Sequence, residues 1–151
     1  MGADVVVDPA ETSPYRAWQE AANPEVTGVP NPLPGPQGRP GVIFECVGVP
    51  GVIQQILEGA PHSARVVVVG VCMEPDRIEP MFGINKELNL QFVLGYTPDE
   101  FKATLGNLAA GRINAGVVVT GKVGLGGVVK AFEDLATPDR HAKILVEPWR
   151  V

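Results

Sequence analysis

An α/β fold with a parallel sheet flanked by helices is what this sequence predicts, and three observations predict it. Val42-Ile43-Phe44 and Val66-Val67-Val68-Val69 are short apolar runs without alternation, which suits strands covered on both faces. Between them Val52, Ile53, Ile56, Leu57 and Ala60 recur at the spacing of one helix face, introduced by Pro50-Gly51 and closed by Pro61. Strand, helix and strand within about 30 residues form a βαβ unit, so the two strands are parallel neighbours joined by a right-handed crossover.

Ligands of open parallel sheets lie beyond the carboxyl ends of the strands. Those ends are Glu45-Cys46-Val47-Gly48 and Gly70-Val71-Cys72, each with a glycine. Gly48 and Gly70 either let the backbone approach a ligand closely or simply turn the chain out of the sheet.

The totals bound the rest. A chain of 151 residues, 45% apolar and 19% charged, carries enough apolar surface for one domain with a substantial core. Its net charge of −5, from 17 acids and 12 bases, and its lack of a basic run argue against nucleic acid or an anionic membrane as partner. Cys46 and Cys72 show no CxxC or Cys/His spacing for zinc, and we read them as reduced thiols of a cytoplasmic protein. Neither a membrane-spanning run of about 18 apolar residues nor a signal peptide is recognisable.

The remaining elements follow in order. Val5-Val6-Val7 reads as a third apolar strand ending at Asp8-Pro9, and Ser13-Pro14 starts a helix with Tyr15, Trp18 and Ala22 on its apolar stripe. Asn23 to Pro40 holds six prolines and three glycines in 18 residues and is expected to be an extended surface insertion. Met73 to Asn85 reads as irregular, and its acids Glu74, Asp76 and Glu79 as a solvated loop rather than a metal site. Leu88 to Leu94 alternates as a half-exposed strand does, which places it at the sheet edge, free to pair with another subunit. Thr97-Pro98-Asp99-Glu100 is a capping box whose helix carries Phe101, Leu105 and Leu108 and stops at Gly111. A strand at Val117–Val119, a helix with Val128, Val129, Phe132 and Leu135 on one face, and a strand at Ile144–Val146 complete the reading.

Two candidates for chemistry fail on their own residues. Gly124-Leu125-Gly126-Gly127-Val128-Val129 matches only the first two glycines of G-x-G-x-x-G, and Val129, in place of the third, belongs to the helix stripe. His62 and His141 have no partner at ligand or catalytic spacing, so both read as surface histidines.

The ordered set GADVVVDP, VIFECVG, ARVVVVGV, KELNLQFVLGY, a capped helix ending in G-R-I, and AFEDLATPDRHAKILVEP resembles the carboxyl-terminal half of medium-chain dehydrogenases/reductases. The resemblance is to the branch of zinc-type alcohol, polyol and threonine dehydrogenases and extends over nearly all of the chain except the proline-rich insertion. It implies an incomplete, truncated Rossmann-like parallel sheet with flanking helices. In the family's strand order 3-2-1-4-5-6, Val5–Val7 resembles the third strand, Val42–Phe44 the fourth, Val66–Val69 the fifth and Leu88–Leu94 the edge. Residues 1–95 would then be a partial dinucleotide-binding domain with the insertion at 23–40, and residues 96–151 the helices and strand returning to the catalytic domain. The first two strands, the phosphate-gripping G-x-G-x-x-G turn, the ribose-binding acid and every zinc ligand have no counterpart, which implies a fragment with Met1 internal to a longer parent. Loss of the strands between the third and fourth would leave one long edge of Val42–Phe44 unpaired.

The resemblance also implies where cofactor would touch. Asp8 and Pro9 are similar in position to the adenine-pocket turn, and Cys46, Val47 and Gly48 to the segment along the adenosine and nicotinamide ribose. Gly70, Val71 and Cys72 resemble the turn that meets the nicotinamide carboxamide, and Phe92, Val93 and Leu94 the edge-strand backbone completing that contact. No catalytic residue and no metal ligand carries over. The implied parent is an oxidoreductase using NAD or NADP, and zinc not bound by this chain, to oxidise a small alcohol or polyol, with this chain alone inactive and self-association through Leu88–Leu94. The alternatives are a zinc-free quinone or enoyl reductase of the same superfamily, and a non-catalytic interaction module.

Overall fold

The computed structural model describes residues 3–21, 41–137 and 140–150. The proline-rich stretch and Ala22 lie outside the described residues. Contacts divide these residues into two compact units that meet in sequence at Gly95 and Tyr96.

In the first unit, helix α1 (Pro14–Ala21) precedes strand β1 (Val42–Glu45), helix α2 (Val52–Gly59) and strand β2 (Arg65–Val68), followed by helix α3 (Pro80–Asn85) and strand β3 (Asn89–Phe92). The sheet order is β1-β2-β3, all parallel, as the βαβ reading expects. Ile56, Leu57 and Ala60 on α2 are buried, and Ile56 and Ala60 join Ala64, Val66 and Val68 in one core cluster, with Val52, Ile53, Leu88 and Leu90 packed against it. β3 lies at an edge among the described residues, and its alternation holds only in part: Leu90 is half-buried against the core, while Phe92 and Leu94, on the same side of the pattern, are exposed.

β1 is also an edge among the described residues and, against the expectation of cover on both faces, Val42 and Phe44 are exposed where β2 is buried. Because the carbonyls of Gly41 and Glu45 accept from Arg65 and Val69, the backbone groups of Val42 and Phe44 face away from β2. Helix α1 reaches this region through two aromatic rings. Tyr15 lies against Gly59, where a Cβ would stand 2.2 Å from the ring, and Trp18 lies against Gly41, where it would stand 2.1 Å from the indole. Burial pushes the Tyr15 hydroxyl up to about 12.

Two other expectations fail here. Val5–Val7 belongs to no strand; Val5 and Val6 are exposed, since no strand among the described residues lies beside them to complete a ladder. The irregular reading of 73–85 misses α3, whose first turn holds Pro80, where a missing N–H costs nothing. Just beyond α3, Lys86 is buried and donates from Nζ to the carbonyls of Leu57 and Glu58, closing the carboxyl end of α2. Burial lowers its pKa, and the Glu58 charge opposes that shift.

The second unit contains helix α4 (Pro98–Ala109), strand β4 (Gly121–Val123), helix α5 (Val128–Leu135) and strand β5 (Ile144–Val146), with β4 and β5 parallel. The capping box forms: Glu100 N donates to Thr97 Oγ1 at 3.3 Å and Thr97 N to Glu100 Oε2 at 2.7 Å. That last bond, and then the Thr97 hydroxyl, hold the Glu100 carboxyl below its usual range. Gly111, with φ 69°, follows the helix as expected. The strand expected at Val117–Val119 is instead a 3-10 turn over Ala115–Val118, and the ladder forms two residues later at β4. Thr120 explains the shift: its N–H donates to the Lys143 carbonyl at 2.9 Å and its Oγ1 accepts from Ala142 N at 3.0 Å, fixing the register one residue before β4. The stripe on α5 also splits, with Val129 and Phe132 exposed while Ala131, between them, is buried.

Candidate functional site

Register places the site. Glu45, Val68 and Phe92 are aligned across β1, β2 and β3, so the segments that follow them leave from the same, carboxyl end of the sheet. Cys46-Val47-Gly48, Gly70-Val71-Cys72 and Val93-Leu94 therefore share one rim. Val47, Val71, Phe92 and Leu94 are exposed on it, an apolar border beside backbone. Cys46 is an exposed and Cys72 a half-buried free thiol.

The two rim glycines follow neither sequence reading alone. Gly48 has φ 72°, and a Cβ there would lie 2.5 Å from the Val71 nitrogen. A Cβ at Gly70 would lie 2.4 Å from the Gly48 nitrogen and 2.6 Å from Glu45 Oε2. Each glycine thus makes room for the other's backbone, so the two loops touch and act as one surface.

Glu45, to which the sequence reading gives no role, is the residue beneath that contact. Its side chain is 3% exposed, and Oε1 accepts from Val47 N at 2.6 Å and Gly48 N at 2.8 Å. Its main-chain carbonyl accepts from Val69 N at 2.8 Å and Gly70 N at 2.9 Å. The signal was present in the sequence as an acid closing an apolar strand, since a buried carboxylate requires donors to offset its desolvation.

Asp8 and Pro9 come to a different place. Asp8 Oδ1 accepts from Ala10 N at 2.8 Å and its carbonyl from Glu11 and Thr12, so the acid caps its own turn. Pro9 lines an open groove of about 1030 Å³ along the edge of β1 away from β2, together with Cys46, Val47 and side chains of α1 and α2. Pro9, Cys46 and Val47 are brought together there; Gly70–Cys72 and Phe92–Leu94 do not line it.

The rim offers apolar side chains, Val47, Val71 and Leu94, beside close-packed backbone. A pyrophosphate requires a glycine turn with free N–H groups at a helix start, and Gly51 N, before α2, already donates to Asp76 Oδ1 at 2.9 Å. The other glycine-rich turn is filled by its own unit, for a Cβ at Gly124 would lie 2.1 Å from the Arg150 carbonyl oxygen. Among the described residues no three His, Cys, Asp or Glu side chains gather as a metal site, so the donor set does not fit zinc. Asp76 also accepts from Arg77 N, while His62 and His141 meet Ser63 and Thr120.

The sequence matches the family model described as zinc-binding dehydrogenase over residues 1–110. This chain belongs to the zinc-binding dehydrogenase family. Within that family it corresponds to the carboxyl-terminal half of medium-chain dehydrogenases, as its motif order implies. It is 31% identical over 149 residues to (R,R)-butanediol dehydrogenase of Bacillus subtilis (strain 168), covering 98% of this chain and 39% of that protein. D-xylulose reductase of Morganella morganii is 27% identical over 99 residues, 66% of this chain and 29% of that one. The crystal structure of 2R,3R-butanediol dehydrogenase from Bacillus subtilis superposes with TM-score 0.69 at 29% identity, covering 95% of this chain and 38% of the other. An Escherichia coli CFT073 alcohol dehydrogenase solved in complex with NADH superposes with TM-score 0.72 at 19% identity, over 95% of this chain and 38% of the other, which speaks to fold. The chain thus spans about two fifths of the length of the dehydrogenases it matches. No helix among the described residues is long and apolar enough to cross a membrane.

Proposed function

We propose that this chain supplies the nicotinamide-side part of the cofactor domain of a nicotinamide-dependent alcohol or polyol dehydrogenase, and that alone it is catalytically inactive. The observation that carries this reading is the alignment of three strand ends into one apolar, backbone-lined rim. Hydride chemistry belongs to the bound cofactor. The chain's contribution is orientation: Cys46–Gly48 along the ribose, Gly70–Cys72 and Phe92–Leu94 at the carboxamide, and the Asp8-Pro9 turn towards the adenine. Proton transfer and Lewis acidity fall to residues outside this chain; the Glu45 carboxylate at the rim is taken up by the N–H groups of Val47 and Gly48. A zinc ion would be held by residues outside this chain. The substrate class, small alcohols or polyols, follows the relatives. Residues up to 95 carry the cofactor role, those from 96 lead back to a catalytic domain, and the free edge of β3 serves self-association in a cytoplasmic oligomer.

The test combines the chain with the amino-terminal part of the Bacillus subtilis butanediol dehydrogenase and follows alcohol-dependent formation of NAD(P)H. Turnover is expected from the combination and none from the 151-residue chain. Turnover or saturable NADH binding by the chain alone would sink the claim of inactivity.

A further inference from the structure

We infer that Glu45 is a positioning residue that clamps the two rim loops into one surface. The inference rests on the proposed cofactor role of that rim for its purpose, though not for its geometry. Four bonds converge on this single residue. Its carboxylate Oε1 takes the N–H groups of Val47 and Gly48 in the loop after β1, and its carbonyl takes those of Val69 and Gly70 in the loop after β2. The residue is buried, so water does not compete for these acceptors.

The glycines complete the device. Gly48 can stand against Val71 only because its own nitrogen is drawn towards Glu45 and because Gly70 has no Cβ to collide with Gly48 or with Oε2. An acid, a left-handed glycine and a second glycine therefore form one interlocking set across two strands. None of the three needs to touch a ligand for the rim to depend on it. A shift of the first loop must move the second, because their backbones are in van der Waals contact.

Chance placed a reporter in each loop: Cys46 in the first, Cys72 in the second. The experiment uses the full 151-residue chain and three forms, native, Glu45→Gln and Glu45→Ala. Amide hydrogen exchange is read at Val47, Gly48, Val66, Val67 and Val68, amide chemical shifts are read at Val71, and alkylation rates are read at each thiol. Loss of a charge-assisted bond should speed exchange at Val47 and Gly48 on the order of tenfold in Glu45→Gln and more in Glu45→Ala. Exchange in β2 should stay unchanged in Glu45→Gln, while the Val71 shift moves and the half-buried Cys72 is alkylated severalfold faster although it lies 27 positions away in sequence. Unchanged exchange at Val47 and Gly48, or an unmoved Val71 with unmoved Cys72 reactivity, overturns the clamp. Equal acceleration across β2, or unfolding of Glu45→Gln, overturns it too, by showing a carboxylate that holds the fold rather than the loops. No cofactor enters these measurements, so they stand or fall separately from the NADH titration that tests the functional reading.

Discussion

β1 and β2 are four-residue parallel strands of similar composition, paired along their whole length, yet one is core and the other is surface. Val66 in β2 is 0% exposed, whereas Val42 and Phe44 in β1 are 55% and 64% exposed. Apolar β-branched sequence specifies a strand that is able to be buried on both sides; neighbours decide whether it is. β2 has β1 on one side, β3 on the other and α2 packed on the cluster of Val66 and Val68. Among the described residues β1 has β2 alone, with an open groove along its other edge. A charge should therefore be costly in β2 and nearly neutral in β1.

The largest contrast comes from a charge. Val66→Asp places an unpaired carboxylate in the core and should cost several kcal/mol, on the order of 3–5, enough to abolish cooperative unfolding in urea. A Val66→Asp protein with a native-like urea midpoint would show that β2 is not the core. The glycines give the next step. Gly48→Ala should lose about 2–4 kcal/mol, because strain at positive φ adds to collision with Val71, whereas Gly51→Ala, at φ 88° with open space around it, should lose only about 1 kcal/mol. Equal losses at the two positions would remove the argument that the loops touch.

Alkali probes the groove side of β1 through α1. The folded-state pKa of Tyr15 is raised from 10.0 to about 12, so between those values the unfolded chain has released a proton that the folded chain keeps. Stability contributed by this group is present below pH 10 and is lost as pH rises towards 12. Tyr15→Phe should flatten that part of the pH dependence of thermal unfolding, whatever it does to stability at neutral pH. An identical alkaline slope in the variant would mean that the ring is not packed against Gly59 of α2. The smallest effect is expected on the open edge, where Phe44→Lys should change stability measured by urea unfolding by less than about 0.5 kcal/mol. A large loss of stability there would mean that β1 is more buried than its exposure indicates.

Elements with long periodic patterns were legible in the sequence. α2, α4 and α5, and the strands β1, β2, β3 and β5, follow from spacing, capping and β-branched runs. β4 was not, because Gly121-Lys122-Val123 has no strand signal and owes its place to Thr120, a tertiary hydrogen-bonding residue. Val5–Val7 shows the converse, a strong local signal without a ladder partner among the described residues. The rim could be placed from strand ends alone. Its interlock could not, because the partner of Gly48 is Gly70, and spacing within either loop says nothing about the other. Lys86 escaped for a related reason: a lysine before a strand looks like a surface residue until its ammonium is seen closing α2.

The seating of Trp18 against Gly41 has an optical corollary. The chain holds two tryptophans, and Trp149, in the second unit, is 87% exposed. Emission from Trp149 should resemble that of an indole in water, so any blue-shifted component belongs to Trp18 and reports whether α1 is docked. A single emission spectrum thus carries a separate signal from each half of the polypeptide, with no label added.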